Sequence, residues 1–421
     1  MNIFKKELCE GVSLSAVKTD KFKSDFITVS FVLPLSDVTA SGYSLLTNLL
    51  SLSCAKYPTM QKLRVAKDEL YALGLDTYVR RWGELLLVTA ETVSLADSYT
   101  LSGEANLEKA IEILGEILFA PAFEDGHFIS EYVESEKLCL TEEICSVIED
   151  KRSFALKRAR EIMCESEPYA ADPDGTVEGV EAITPETLTE VYRYCLSSPA
   201  VEIVYVGESD GEKVFELMKR HLPFAPRKRD IPEGTVHKVG TLKRVTEPTD
   251  GNQSVLVLGF GMPTTVTHGE RAVLSVFDEI FAASPMSKLF TGVREKRGLC
   301  YYCNSYTSGR KNVMLVACGI SPRNAQKAEK AILSELESMK KGEFSDSDVE
   351  NAKKAIHRSL RAVEGSLTGM NSFALGQALH SEPLTPGEIG ALVDDVARDE
   401  VIGFANKIEL DTVYLLRSEE K

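Results

Sequence analysis

Leu107-Glu-Lys-Ala-Ile-Glu-Ile-Leu-Gly-Glu-Ile-Leu118 and Ala328-Glu-Lys-Ala-Ile-Leu-Ser-Glu-Leu-Glu-Ser-Met339 read as two versions of one amphipathic helix. Apolar residues recur at helical spacing in both. Each stretch is followed by a short loop and a long charged helix. A second pair, Thr184–Tyr192 (TPETLTEVY) and Thr385–Val393 (TPGEIGALV), falls late in each half. Both pairs are offset by a little over about 200 residues. One such pairing can arise by chance, but a series in the same order is the mark of an internal repeat.

Working outward from these landmarks, the first half starts with a β-branched and aromatic strand at 26–34, FITVSFVLP. A helix over 43–53 follows, then one from Thr59 to Leu73 with Gly74 as its C-cap. Two strands, 76–81 and 85–93, turn about Trp82-Gly-Glu84. One long helix is expected from about Ser130 to Cys164. Thr184 caps another, with Pro185 in the first turn, where a missing donor costs nothing. Val201–Gly207 closes the half as a strand. The second half repeats the order with a strand at 254–260, helices at 271–281 and 285–293, and strands at 299–307 and 313–320. Helices at 324–339 and 346–362, a helix opening at Thr385 and a strand at 412–416 complete it. Residues 221–253 cluster Pro, Gly and mixed charge, as a linker with room for one edge strand. The reading is α+β, with homologous domains at 1–220 and 254–421, each an antiparallel sheet flanked by helices.

Composition narrows the function. The chain has 421 residues, with 48 Lys plus Arg against 64 Asp plus Glu, a formal net charge of -16. That balance disfavours nucleic acid and anionic membranes as partners. The short basic runs Arg227-Lys-Arg229 and Glu295-Lys-Arg297 read as solvated faces or partner contacts. Gly251, Gly259 and Gly261 form no nucleotide-binding motif. The polar, mixed-charge start without an apolar core, and the lack of a long apolar run, point to a soluble cytoplasmic protein. Nine cysteines form no dense framework, which fits a reducing compartment. Cys300-Tyr-Tyr-Cys303 has redox or zinc spacing but no second pair, so a buried structural role is expected. Six scattered histidines include no pair able to clamp a metal from one helix. A tertiary pair such as Cys54 with His127 has no local support, and His127 is expected in solvent.

The two-domain repeat and the segment Ser287-Lys-Leu-Phe-Thr-Gly-Val-Arg-Glu-Lys-Arg-Gly-Leu-Cys-Tyr301 resemble the insulinase and pitrilysin (M16) family of zinc peptidases. The mitochondrial processing peptidase is one of its members. The resemblance is strongest to a bacterial subgroup of short, non-catalytic members, one of them connected with modification of elongation factor P. Active members carry His-x-x-Glu-His on the first helix. Two imidazoles and a later glutamate hold zinc, and the glutamate between the histidines takes a proton from bound water. Here the matching positions are Leu45, Asn48 and Leu49. Leucine binds no metal and asparagine is no general base near neutral pH. The resemblance places vestiges of zinc support at Glu136 and Glu143, where a solvated acidic face is the plainer reading. No metal or other cofactor is expected. It also places a substrate-binding pair at Arg294 and Tyr301, a guanidinium and a phenol suited to a carbonyl or developing oxyanion.

The resemblance thus implies a non-catalytic homologue that pairs with an active zinc peptidase as a heterodimer, completing a chamber around a peptide. The alternatives are an active zinc metalloendopeptidase with unrecognised ligands, and a self-contained homodimeric binding or scaffold protein.

Overall fold

The apolar run at 26–34 needs cover on two sides, and the architecture supplies it. The computed structural model describes residues 1–232, 234–263 and 267–418. Its strands are β1 (Phe4–Cys9), β2 (Val12–Lys18), β3 (Ser24–Pro34), β4 (Gly74–Trp82) and β5 (Leu85–Leu95), then the two-residue pair β6 (Phe123–Glu124) and β7 (His127–Phe128). They continue as β8 (Ala200–Gly207), β9 (Lys243–Thr249), β10 (Ser254–Gly261), β11 (Cys300–Ser308), β12 (Val313–Ile320) and β13 (Glu409–Ser418). One sheet has the order β1-β2-β8-β3-β5-β4 and another β11-β12-β10-β13-β9. Neighbours are antiparallel except for β2 with β8 and β9 with β13, so the expected antiparallel sheets are each mixed by one parallel pair. Read inward from β4 and from β11, the two sheets share one connection order, with the parallel pair in the same place.

The chain forms two compact units. The first comprises Met1–Cys145, Ala171–Glu233 and Ala362–Thr385, and the second Ser146–Ala170, Gly234–Arg361 and Pro386–Lys421. In the first, Ile27, Val29, Phe31 and Leu33 of β3 face the main core, which includes Leu45, Leu46 and Leu49 of the helix Ala40–Leu50. Val32 lies on the other face, with Val17, Leu85 and Val204, against Met370, Ala374 and Leu375 of the helix Leu367–Ala378. Thr28 on that face accepts from Asn371 Nδ2 at 3.2 Å. In the second unit, Leu256, Leu258 and Phe260 of β10 face the main core, while Val255 and Val257 meet Ala155, Ala159 and Met163 of the helix Lys151–Met163. A strand covered on both faces reads as a continuous apolar run, as these do. Each covering helix comes from the opposite half of the sequence.

That crossing corrects one expectation. The segment 130–164 is two helices, Ser130–Ser146 and Lys151–Met163, separated by the 3-10 turn Val147–Glu149. The Asp150 carboxylate accepts from the amides of Arg152 (3.1 Å) and Ser153 (3.2 Å), capping the second helix. An aspartate offers the backbone an alternative to helix continuation, and here it wins. The helix expected to end at Gly74 spans Met60–Glu69, and Tyr71 and Ala72 take positive φ of 57° and 58° while Gly74 opens β4. The expected helix at 285–293 is a π-helical segment, Leu289–Glu295. Of the stretch 221–253, Lys243–Thr249 forms edge strand β9, and residue 233 lies outside the described residues. Among the described residues no helix is long and apolar enough to cross a membrane.

Candidate functional site

In the helix Ala40–Leu50 every residue but Asn48 is buried. Leu45 is fully enclosed and Leu49 nearly so, both within the main core of the first unit. The two positions that would carry imidazoles are therefore core positions. Asn48 is the half-buried exception, and its side chain hydrogen-bonds Glu136 on the helix Ser130–Ser146. Burial raises the Glu136 pKa, the negative charge of Glu143 adds to the rise, and the Asn48 contact opposes it. The exposed thiol of Cys139 is also pushed up, chiefly by the charge of Glu136. The structure thus brings Asn48, Glu136 and Glu143 to one place. What they offer is oxygen donors and an amide, without the imidazole or thiolate ligands that hold zinc in such sites. Asn48, Glu136 and Glu143 do not fit a catalytic zinc ion.

Arg294 and Tyr301 have the opposite setting. Both are exposed, Tyr301 at 64%. Arg294 lies in the last turn of the π-helical segment, its guanidinium 4.7 Å from the centre of the Phe290 ring, a cation–π stack that orients the charge without neutralising it. Gly298, at φ +59°, reverses the chain, and its amide donates to the Arg294 carbonyl at 3.0 Å. Neighbouring Arg297 is tied down, donating to Glu335 at 2.7 Å and to the Gly292 carbonyl at 2.8 Å. Tyr301 falls at a register shift in β11, the edge strand of its sheet. A bulge leaves an extra residue out of the ladder and re-aims its side chain.

Two further groups of donor side chains come together among the described residues: Cys300 with Cys303 and Cys318, and Cys164 with Glu167 and His237. In the second, His237 Nδ1 is 2.7 Å from Glu167 and Nε2 is 3.3 Å from Asp411, with Cys164 Sγ at 3.9 Å. Burial opposes charge on His237, but hydrogen bonds with Asp411, Cys164 and Glu167 outweigh it and raise its pKa to about 10. The fully buried Lys311 also pairs with Glu167. Two cations and two carboxylates already satisfy one another, so this group is a buried ion network. A metal ion would have to displace the imidazole proton to bind here. In the first group, hydrogen bonds with Cys303 and then Cys318 hold the Cys300 thiol well below its ordinary pKa, burial opposes this, and the Arg294 charge assists. Neither Cys318 nor the His237 network was anticipated. Cys318 was detectable from hairpin register across 300–320, whereas the ion network joins residues as far as 174 positions apart. His127 is half-buried and Cys54 is buried.

Comparison with known proteins bears on this geometry. A family profile described as the Peptidase M16 inactive domain matches residues 182–356. "Probable inactive metalloprotease YmfF" of Bacillus subtilis (strain 168) is 28% identical over 411 residues, covering 97% of this chain and 96% of that protein. The crystal structure of a conserved protein from Enterococcus faecalis V583 superposes with a TM-score of 0.90 at 27% identity, covering 100% of both chains. A peptidase M16 inactive domain from Pseudomonas fluorescens shares the fold at a TM-score of 0.81 and 15% identity, over 100% of this chain and 99% of its own. The fold is therefore the M16 α+β type, and the homology is to the inactive members of that zinc-peptidase family. With Leu45, Asn48 and Leu49 on the first helix, that homology agrees with loss of catalytic activity.

Proposed function

We propose that this non-catalytic homologue of the M16 insulinase-family zinc peptidases pairs with an active, zinc-bearing relative and helps hold a peptide segment in the partner's chamber. One observation carries the reading: Leu45 and Leu49 have become core, while Arg294 and Tyr301 are kept at the surface. An exposed guanidinium and an exposed phenol each suit a peptide carbonyl or carboxylate, the first as a charged fork and the second as a single donor. The matching strand orders support an internal duplication, in which each unit once had the same design. The acidic chain acts in the cytoplasm in this reading, without nucleic acid or membrane as partner, and its partner's identity decides whether the elongation factor P connection extends to it.

Affinity isolation of the full chain from native lysate should bring down a stoichiometric relative with an intact inverted zinc motif. In the purified complex, R294A/Y301A should lower peptide turnover by about tenfold or more, as loss of transition-state donors does. Unchanged turnover in an intact complex would sink the proposal. Reproducible recovery of the chain alone as a dimer would favour the homodimeric scaffold.

A further inference from the structure

We propose that Cys300, Cys303 and Cys318 form a binding site for one thiophilic metal ion, of the zinc(II) or copper(I) class, on the core side of the second unit's sheet. The argument begins with strand geometry. Side chains alternate along a strand, so residues three apart, such as Cys300 and Cys303, ordinarily point to opposite faces. Here the register slips between them. Cys300 opposes Ile320, Tyr302 opposes Gly319, and Cys303 opposes Cys318. Ile320 and Cys318 are two apart on β12 and share a face, so their partners Cys300 and Cys303 share it as well. The bulge that pushes Tyr301 outward is what turns the two cysteines inward together.

The shared face is the main core of the second unit. Cys303, Cys318 and Ile320 are buried in it, and half-buried Cys300 packs against it at the strand's end. The three Sγ atoms lie within 4.8 Å of one another, with Cys303 and Cys318 2.6 Å apart. The hydrogen bonds that Cys303 and Cys318 make with Cys300 hold the three sulfurs together only weakly, because S–H is a weak donor and S a weak acceptor. A metal ion gives the convergence a purpose. Bonds of about 2.3 Å to a shared zinc ion put sulfurs about 3.8 Å apart. That spacing lies within the span of the group, once side-chain rotation opens the closest pair by about 1 Å. Thiolate donors select zinc and copper(I) over magnesium or calcium. Zinc would take a fourth ligand beyond the three thiolates. The Arg294 charge, which reaches Cys300, offsets the excess negative charge of three thiolates around one divalent ion.

Cadmium(II) and copper(I) are suitable probes of the reduced full chain under anaerobic conditions. Cadmium should give a thiolate-to-metal charge-transfer band in the ultraviolet that saturates at one equivalent per chain. It should also slow alkylation of Cys300 while leaving exposed Cys139 reactive. C300S, at the least enclosed of the three positions, should weaken cadmium binding by at least about tenfold, as ligand loss exceeds second-sphere effects. C139S should leave binding unchanged, and circular dichroism of each variant keeps misfolding separate from ligand loss. Competition by copper(I) against bound cadmium distinguishes the two ions of the class. The proposal is overturned if wild type shows no saturable band, or if folded C300S binds as tightly as wild type. It is also overturned if the isolated chain carries a Cys303–Cys318 disulfide and takes up no metal after reduction.

Discussion

The helix Ala40–Leu50 and the segment Arg294–Ser308, the two places where the family resemblance puts chemistry, have opposite settings in the structure. In the helix, the imidazole positions are filled by Leu45 and Leu49 and sealed in the core, leaving Asn48 as the one partly open residue. In the later segment, an arginine and a tyrosine stay exposed around a bulge, and three cysteines gather beneath it. Burying a leucine stabilises by roughly 1.5–3 kcal/mol, so Leu45 and Leu49 serve the core of the first unit. An exposed Arg or Tyr contributes little to folding. Its retention calls for an explanation in binding.

The sharpest way to break this contrast is to treat the helix as if it were still a site. Leu45→Ala should cost about 2–5 kcal/mol in urea unfolding, as a cavity at a fully enclosed position does. A cost near that of a surface change would show that the helix is not core. L45H/L49H should be at least as damaging, because two imidazoles would replace apolar contacts in the interior without partners.

The buried network of the second unit gives the next effect, through pH. His237 has a folded pKa of about 10 against an ordinary 6.5. A basic group with a raised folded pKa binds its proton more tightly when folded. Its stabilisation is complete below about 6.5 and is lost as pH rises toward 10. The groups facing it are Glu167, Asp411, Cys164 and, through Glu167, Lys311. Unfolding free energy should therefore fall between these pH values more steeply in wild type than in H237Q. Parallel profiles would remove the imidazole as the cause. A smaller loss is expected for Asp150→Ala, about 1 kcal/mol in the same assay, from the missing helix cap.

How much could be read in advance followed the range of the interactions. FITVSFVLP announced β3, and Thr184 with Thr187 announced a capping box that the structure contains, because both signals are local. That the first helix carries no metal-binding side chains at Leu45, Asn48 and Leu49 is legible directly from the residue types. β1 and β2 were missed: β1 alternates only between half-buried and exposed and offers no apolar run. The helix Leu367–Ala378 was missed because it is apolar without a clean face, and its role appears only when the sheet it covers is built. The break at Asp150 was hidden by good helical spacing on either side. The Asn48–Glu136 contact and the cysteine cluster depend on helix packing and strand register, which one-dimensional spacing does not encode.

The smallest stability effect is the most informative one for function. Arg294→Ala and Tyr301→Ala should each change unfolding free energy by no more than about 0.5 kcal/mol, the usual range for exposed positions. The cation–π contact between Arg294 and Phe290 sets the upper end, since at an exposed site it is worth roughly 0.5–1 kcal/mol before hydration of the freed charge is regained. If both variants fold like wild type and the double variant still slows the partner peptidase, the pair acts on bound peptide rather than on the fold. If either costs several kcal/mol, the contrast fails at its other end. Arg294 and Tyr301 would then belong with Leu45 and Leu49, as residues kept for architecture alone.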